Sequence, residues 1–395
     1  MTGGPGLTLR KAEIGLHARL DALRNPIARA ATDIPWHWEA ITAEWMTATL
    51  CRDVPGAEIT GIVPAEGSVG TSTRQAFDLL LNDTARAAGV PARVFTKSTP
   101  MLKQRLLLGN CLFGEVGFYR DFRPRIDMEA PQGYWACVAN RSLRSMIVME
   151  DVVATRQAVF NMDGTAVAYD EMAGLLTSLA RLHGRFWQDR SLTEKSWLRD
   201  TPSYLDDNHR FLRMSHWAGV GMATAPELLP LDVRGRIDDI WAGIVLRNRH
   251  DRDAGSFTLL HGDAHIAQTY KTADGKMGYC DWQVMLRGSW AWDVSYILTT
   301  GLNVEDRRSW EEKLLRGYAE TLAAAGGPML DWQQVWDAYR AHIPYAFVAW
   351  AFTIGYSSQV REVQPPITAR RLVERTAAAM SDHGSIQRNL SGLTG

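Results

Sequence analysis

The chain has 395 residues, of which 46% are hydrophobic, so it is long enough for two lobes that each bury a core of their own. Its 43 lysine and arginine residues balance 44 aspartate and glutamate residues, and the formal net charge is -1. This balance excludes a global basic field of the kind that attracts nucleic acid or acidic membranes.

The first part of the chain predicts helices followed by a sheet. Residues 7–31 have helical composition, residues 41–50 predict a shorter helix, and a sheet begins near Ile59. We assign residues 1–35 to an N-terminal helical extension. Its role has two alternatives, a homodimer contact or packing across the lobe that follows.

A loop rich in Gly, Ser and Thr spans residues 67–73. Most such loops are ordinary turns, but their backbone amides can also cover phosphate groups. The candidate phosphate-binding residues are Gly67, Gly70, Thr71 and Ser72.

Two charged residues after this loop are candidates for an ion pair. Residues 74–81 and 91–97 predict strands, the second of which ends on Lys97, and a later helical pattern carries Glu115. A lysine held by a glutamate is what phosphoryl transfer needs on the α- and β-phosphates of a nucleotide. Taken alone, a lysine at the end of a strand is usually a solvated charge.

A further predicted strand, residues 144–149, runs into two acidic residues. Its end makes Met149, Glu150 and Val152 candidates for binding an adenine edge through main-chain groups. An ordinary buried strand is the alternative at this position. Farther on, residues 175–186 predict a core helix, on which His183 is expected to be a structural, hydrogen-bonded histidine.

The most informative stretch is a His-Gly-Asp turn, residues 261–263, with Gln268 five residues after the Asp. Residues 269–271 and 277–280 predict a hairpin, which brings Asp281 back beside Gln268. In phosphoryl transfer, one carboxylate orients the attacking hydroxyl, while an amide and a second carboxylate hold Mg²⁺. The order of these motifs along the chain therefore indicates a kinase.

As an ordered set, the motifs resemble the aminoglycoside phosphotransferase and choline kinase-like superfamily, and within it the ecdysteroid kinase-like branch. The resemblance covers about residues 40–360 and implies an α+β, protein kinase-like fold with two lobes. A small antiparallel-sheet N-lobe would occupy residues 36–151 and a larger, mainly helical C-lobe residues 152–395. The motifs that carry the resemblance are Lys97, Glu115, Met149-Glu150-Asp151, Leu182-His183, Phe186-Trp187, His261-Gly262-Asp263, Asp281-Trp282-Gln283 and Trp292-Asp293.

The resemblance also implies ATP and Mg²⁺ as cofactors and a hydroxyl group of a small molecule as acceptor. Asp263 would be the catalytic base, Asp281 would bind the metal with Gln268, and Lys97 would bind phosphate with Glu115 as its partner.

Two other residues would support the catalytic loop. By the same resemblance, Asp293 would brace the loop through hydrogen bonds to its backbone, and His261 would be part of that support. The adenine would bind at Met149 to Val152 and the phosphates beneath Gly67 to Thr73.

The chain departs from the superfamily at two points. Gln268 stands where Asn is usual, so the amide lies one methylene farther out, and the phosphate loop has only the glycines Gly67 and Gly70. These departures leave a catalytically weak or inactive nucleotide-binding pseudokinase as the rival interpretation.

The sequence says less about the molecule whose hydroxyl group accepts the phosphate. The 15 tryptophans mostly reflect core packing, although a few could line a pocket for a flat, apolar alcohol. Acidic and basic residues nearly cancel from residue 151 onward, whereas a polycationic aminoglycoside needs an acidic pocket. We therefore expect a neutral or apolar hydroxylated metabolite, with an aminoglycoside or a choline-type alcohol as the alternatives.

The remaining features indicate a cytoplasmic protein. Residues 1–9 show no signal-peptide pattern, and the longest apolar stretch, Ile343 to Gly355, is too short to span a bilayer and predicts a buried helix. The cysteines show no Cys-x-x-Cys spacing, which is typical of free thiols in a reducing compartment. They are Cys51, Cys111, Cys137 and Cys280.

Overall fold

The computed structural model describes residues 5–109, 111–357 and 365–391, which fall into two compact units. The first unit comprises the chain up to Arg125 together with Pro131–Ala158, and the second comprises Ile126–Ala130 and the chain from Val159 onward. The first contains an antiparallel sheet and the second is mostly helical, as the α+β interpretation predicts.

The first unit is built on a five-stranded sheet of order β1-β2-β3-β5-β4, in which all neighbours are antiparallel. Trp45, Phe77, Val94, Met146 and Val148 form its core and are at most 1% exposed. The strands are β1 (Ile59–Val69), β2 (Thr73–Leu81), β3 (Arg93–Ser98), β4 (Gly133–Val138) and β5 (Ser145–Met149). The helices are α1 (Pro5–Arg24), α2 (Ala43–Leu50), α3 (Asp83–Ala87), α4 (Leu102–Leu108), α5 (Cys111–Gly117) and α6 (Val152–Arg156).

The loop predicted over residues 67–73 is shorter than expected. The β1–β2 ladder extends to the pair Val69 and Thr73, so only residues 70–72 form the turn. Gly67 pairs with Gln75 inside the ladder, where a Cβ atom on Gly67 would lie 2.4 Å from the Gln75 side chain. A larger residue here would displace the Gln75 side chain and crowd the Arg74 carbonyl, a packing demand that loop composition does not reveal.

The N-terminal helix packs on the first unit through a buried carboxylate. Asp21 is 4% exposed and accepts hydrogen bonds from Arg105 at 2.7 Å and from Arg144 at 2.6 Å. Of the two alternatives for the extension, the structure contains the packing contact. The helix ends at Arg24 rather than near residue 31, because Asn25 adopts a positive φ of 40° and Pro26 follows.

Replacement of Asp21 with alanine should destabilise the protein by about 3–5 kcal/mol, because it leaves the fully buried guanidinium of Arg105 without a counter-charge. Urea unfolding followed by far-UV circular dichroism would measure this loss. Glu13→Ala is the matched control, since its ion pair with Arg10 on the same helix is partly exposed and should contribute at most about 1 kcal/mol. Equal stability of the two variants would show that Asp21 does not anchor the helix.

The second unit is mainly helical and contains two small antiparallel sheets, β6-β8-β9 and β10-β7. The strands are β6 (Val159–Phe160), β7 (Thr258–Leu260), β8 (Thr269–Lys271), β9 (Met277–Tyr279) and β10 (Leu286–Gly288). The helices are α7 (Tyr169–Arg185), α8 (Thr201–Asp207), α9 (Met214–Thr224), α10 (Ile237–Asp253), α11 (Ala291–Gly301), α12 (Val304–Ala324), α13 (Trp332–Tyr356), α14 (Pro366–Asp382) and α15 (Ser385–Ser391).

The C-terminal region corrects one prediction. The sequence predicts a last helix over residues 370–380 and a polar tail after it, but α15 follows α14 after a break at Gly384, whose φ is 56°. Ser385 donates a hydrogen bond to the Arg340 carbonyl and Asn389 donates one to the Ala341 carbonyl, both at 2.8 Å. The polar residues that predict a tail are therefore residues whose side chains bond to α13. Residues 392–395 lie outside the described residues.

Two further predictions are confirmed. The cysteines are free thiols, and residues 343–355 lie within α13, where most of them are buried. Among the described residues, none of the helices combines the length and apolar character needed to cross a bilayer.

A buried acid joins α10 to α13. Asp251 Oδ2 lies 2.9 Å from Nε2 of His342. Burial raises the pKa of Asp251, whereas His342 and Arg247 lower it more strongly, and the pKa is about 2 instead of 3.8.

Asp251→Asn should therefore lower the free energy of unfolding by about 2 kcal/mol at pH 7. Because the folded-state pKa lies below the unfolded one, this contribution is complete above pH 3.8 and is lost as the pH falls through 2. Urea unfolding at pH 7 and at pH 3 would show the difference between wild type and variant shrinking, with the exposed Asp253→Asn as control. A difference that does not change with pH would contradict this interpretation.

Candidate active site

The His-Gly-Asp turn begins where β7 ends, and its shape depends on glycine. Gly262 has a φ of 83°, and a Cβ atom there would lie 1.9 Å from the Val284 carbonyl oxygen. Any other residue would be strained and would also clash with the backbone. The tight turn brings the backbone amides of His261 and Gly262 to one carboxylate.

That carboxylate belongs to Asp293 on α11, which is fully buried. Its oxygens accept hydrogen bonds from the amide of His261 at 2.7 Å and the amide of Gly262 at 2.9 Å. Nε2 of His183 lies 3.2 Å from the same carboxylate, while Nδ1 of His183 is 2.7 Å from the Tyr318 hydroxyl. The hydrogen bonds predicted for Asp293 are present, and His183 has the structural role expected of it.

The side chain of His261 ties the turn to the end of β9. Its Nε2 donates to the Cys280 carbonyl at 2.9 Å, and its Nδ1 accepts from the Asp263 amide at 3.3 Å. Burial lowers the pKa of His261, against the smaller raising effect of Asp293. The imidazole is therefore neutral at pH 7, as a group that donates through one nitrogen and accepts through the other must be.

The predicted hairpin of β8 and β9 is confirmed. It places Gln268 beside Cys280, the residue that precedes Asp281. The amide of Cys280 donates to the Gln268 carbonyl at 2.9 Å, and the Cys280 sulfur lies 3.9 Å from Oε1 of Gln268. Asp281 follows with a positive φ of 57°. Carboxylate and amide oxygens are ligands that suit Mg²⁺, so this pair fits the predicted metal site.

Asp263 is partly buried, with 27% of its side chain exposed. Burial raises the pKa of this carboxyl, but the charge of His265, whose Nε2 lies 3.6 Å away, is the main opposing effect and the net pKa is lowered. Gln268 contributes to the lowering. Asp263 is consequently ionised at neutral pH and is able to accept a proton.

Aromatic side chains pack around His265, the neighbour of this carboxylate. The ring of His265 packs edge-on against Trp350 at 4.9 Å and lies 5.6 Å from Tyr296, both measured between ring centroids. Burial, followed by the charge of Asp263, holds the pKa of Tyr296 well above its usual value. Tyr345 packs against Tyr296 at 5.7 Å. The sequence analysis counts Trp350 only among the tryptophans that could line a pocket, and it does not identify Tyr296 or Tyr345, because α13 supplies Tyr345 and Trp350 from a distant part of the chain.

In the first unit, the predicted ion pair is present. Nζ of Lys97 on β3 lies 2.9 Å from both carboxylate oxygens of Glu115 on α5, and both residues are buried. β3 is an inner strand of the sheet, and α5 packs on the neighbouring strands β5 and β4, which places Glu115 within reach of Lys97.

The predicted adenine-binding segment follows β5. The amide of Glu150 donates to the Gln132 carbonyl at 2.8 Å, and the carboxylate of Glu150 binds Arg156 and Thr155, each at 2.6 Å. Met149 is the last residue of β5, and Val152 is the first residue of α6. The amide of Glu150 is therefore engaged within the protein.

The hairpin turn that contains Gly70, Thr71 and Ser72 is held by α4. Nε2 of Gln104 donates to the Gly70 carbonyl at 3.1 Å and lies 3.2 Å from Oγ1 of Thr73. The hydroxyl of Ser72 is buried and makes no hydrogen bond to any residue that the structure describes. Gly70 has open space around its Cα, so its position does not itself require glycine.

Comparison with solved structures gives the fold. The chain is similar to a proposed aminoglycoside phosphotransferase from Ralstonia eutropha JMP134, with 12% sequence identity, 86% of this chain and 96% of that chain covered, and a TM-score of 0.50. Choline kinase LicA from Streptococcus pneumoniae matches with 10% identity, 86% and 97% coverage and a TM-score of 0.45. Macrolide 2'-phosphotransferase MphH from Brachybacterium faecium matches with 14% identity, 82% and 94% coverage and a TM-score of 0.43. The first likeness shows the protein kinase-like fold.

A family model, DUF1679, described as "Uncharacterized oxidoreductase dhs-27", matches residues 258–382, which is less than half of the chain. The matched segment contains Asp263, Asp281 and Asp293. A search of curated proteins gives no match.

Proposed function

We propose that the protein is an ATP-dependent small-molecule kinase that transfers the γ-phosphate to a hydroxyl group. The observation that carries the proposal is the linkage within the second unit between the turn bearing Asp263 and the end of β9. His261 bonds to the Cys280 carbonyl, and Gln268 pairs with Cys280 through the backbone. A proton acceptor and two oxygen ligands for a metal are thereby held in one cluster, as phosphoryl transfer requires.

In the proposed reaction, Asp263 orients the acceptor hydroxyl and takes its proton as the oxygen attacks the γ-phosphorus, while the bond from that phosphorus to the β,γ-bridging oxygen breaks and ADP leaves. Its lowered pKa keeps it ionised for this role. Gln268 and Asp281 would hold Mg²⁺, which would supply positive charge to the phosphate oxygens.

The first unit would hold the nucleotide. Lys97, oriented by Glu115, neutralises phosphate charge, and the hairpin turn with Gly70, Thr71 and Ser72 lies over the phosphates, with Gly67 shaping the strand before it. We assign the Glu150 carbonyl and the Val152 amide as the main-chain groups that bind the adenine edge, with Met149 beside them. The Glu150 amide is not assigned, because it already donates to Gln132.

We propose a neutral or apolar alcohol as the acceptor, in keeping with the ecdysteroid kinase-like branch. The support for this choice is the group of aromatic residues beside Asp263: Tyr296 lies next to the carboxylate, Tyr345 packs against Tyr296, and Trp350 packs against His265. Aromatic rings favour flat or apolar ligands through the area that they bury.

A nucleotide titration tests the binding part of the proposal. ATP with Mg²⁺ should raise the melting temperature of the wild type, and Asp281→Ala should weaken this Mg²⁺-dependent binding by about tenfold or more, because one of two protein ligands is lost. Asp274→Ala is the matched control, since Asp274 lies in the exposed turn of the same hairpin and bonds to Lys276.

GTP, ADP, NADH and NADPH form the other arms of the titration. Stabilisation by a nicotinamide nucleotide alone would overturn the kinase proposal and favour the oxidoreductase description of the matched family. ATP binding that needs no Mg²⁺ and is unchanged in Asp281→Ala would favour the pseudokinase interpretation, with the Gln268 substitution as its physical basis.

A further inference from the structure

A pocket lies in the first unit beside α1, and its lining includes none of the residues of the predicted adenine-binding segment. Its volume is about 490 Å³, which is within the range of small-molecule sites. Its wall is largely apolar and includes Ala18, Ala22, Trp36, Pro100, Met101 and Leu102.

The pocket exists because α1 presents small residues where it faces the start of α4. Gly15, Ala18 and Ala22 recur at helical spacing and so share one face of α1. A Cβ atom on Gly15 would lie 3.7 Å from Leu102, in ordinary contact. Larger side chains at Ala18 and Ala22 would fill the pocket, so the pocket depends on the two alanines.

The rim of the pocket carries one positively charged side chain, that of Arg19. Arg19 lines it, and Lys11 lies on the same face of α1, two turns before Ala18. Neither cation has an ion-pair partner in the part of the chain that the structure describes. Both acids of α1 are neutralised, since Glu13 pairs with Arg10 and Asp21 is bonded to two buried or partly buried arginines. An anion would therefore be attracted to this rim.

The pocket also touches the hairpin turn. Val69 and Thr73 line it and flank residues 70–72. Gln104, which follows the pocket residues Met101 and Leu102, bonds to Gly70 and lies against the Thr73 hydroxyl. A molecule in the pocket would contact both sides of the turn's base.

We propose that this pocket binds an apolar small-molecule carboxylate, with its chain against Ala22 and Leu102 and its carboxylate at Arg19. A carboxylate bound in the pocket would restrict the motion of the hairpin turn, residues 70–72. The restriction acts as regulation only if the turn covers nucleotide phosphates, so that part rests on the proposed function, whereas the binding part does not.

Calorimetric titration of the full-length protein with decanoate, below its micelle concentration and without nucleotide, tests the binding. We expect one site, bound about tenfold more weakly or worse in Ala22→Phe, which fills the pocket, and in Arg19→Glu, which reverses the rim charge. Both positions are exposed on the helix, and melting temperatures verify folding. Arg24→Glu, an equally exposed cation of α1 outside the pocket, should bind like wild type, and 1-decanol should bind more weakly than decanoate.

Absence of binding, or equal binding by all variants, would overturn the proposal. Hydrogen exchange at residues 67–75 tests the coupling: decanoate should slow exchange there in wild type and not in Ala22→Phe. Binding without slower exchange would overturn the coupling. Neither result depends on kinase activity, so failure of the kinase proposal is distinguishable from failure of this one.

Discussion

Asp263→Asn should abolish phosphoryl transfer while nucleotide binding stays within about twofold of wild type. The amide has nearly the shape of the carboxylate but cannot accept the hydroxyl proton, a function worth about 10²–10⁴ in rate. The backbone bonds that shape the turn come from His261 and Gly262, so they survive the change. Loss of transfer would thus be a chemical and not a structural effect.

Steady-state assays of ADP formation with a reactive alcohol, together with calorimetric titration of Mg·ATP, would measure this separation. Asp274→Asn on the exposed hairpin turn is the matched control and should keep full activity. Retention of more than about a tenth of the wild-type rate would remove Asp263 from its assigned role.

The second large effect is expected at Asp293. Asp293→Ala leaves the amides of His261 and Gly262 without their acceptor and His183 without its neighbour, all in a fully buried place. Loss of such a network should lower the free energy of unfolding by about 3–5 kcal/mol. It should also reduce activity of the folded protein, because the turn that carries Asp263 is no longer held.

Urea unfolding and hydrogen exchange at the His261 and Gly262 amides would test this prediction. Faster exchange at these two amides than at β9 would show local release of the turn. Glu305→Ala is a suitable control, because Glu305 is an exposed acid at the start of the next helix. A stable variant with unchanged exchange would mean that other contacts define the turn.

The parts that the sequence predicted are those specified by short spacing. The β8–β9 hairpin, which brings Gln268 to Cys280, follows from alternating residues around a turn signal. The Lys97–Glu115 pair was expected from the order of the motifs and the Asp293 hydrogen bonds from the resemblance, and the contacts are present. Roles in catalysis and binding for these residues stay predictions.

Other parts could not be predicted, because they depend on contacts between distant segments. Nothing near Asp263 in sequence indicates Tyr345 or Trp350, which reach Tyr296 and His265 because α13 packs against α11. The hydrogen bond from the Glu150 amide to the Gln132 carbonyl likewise depends on the neighbouring strand β4, which Gln132 precedes. Composition gave a wrong prediction at two places. Gly67 was predicted to be in a loop but pairs within the β1–β2 ladder, and the polar residues of α15 were predicted to be a tail but bond to α13.

The most direct test of the central claim is transfer of radiolabelled γ-phosphate from ATP to a panel of alcohols, with products separated from ATP. The panel should span phenols, sterols, hydroxyacyl compounds, choline and aminoglycosides. We predict a labelled product that requires Mg²⁺ and disappears in Asp263→Asn. Wild-type protein that binds Mg·ATP yet labels none of these alcohols above the Asp263→Asn background would contradict the kinase proposal.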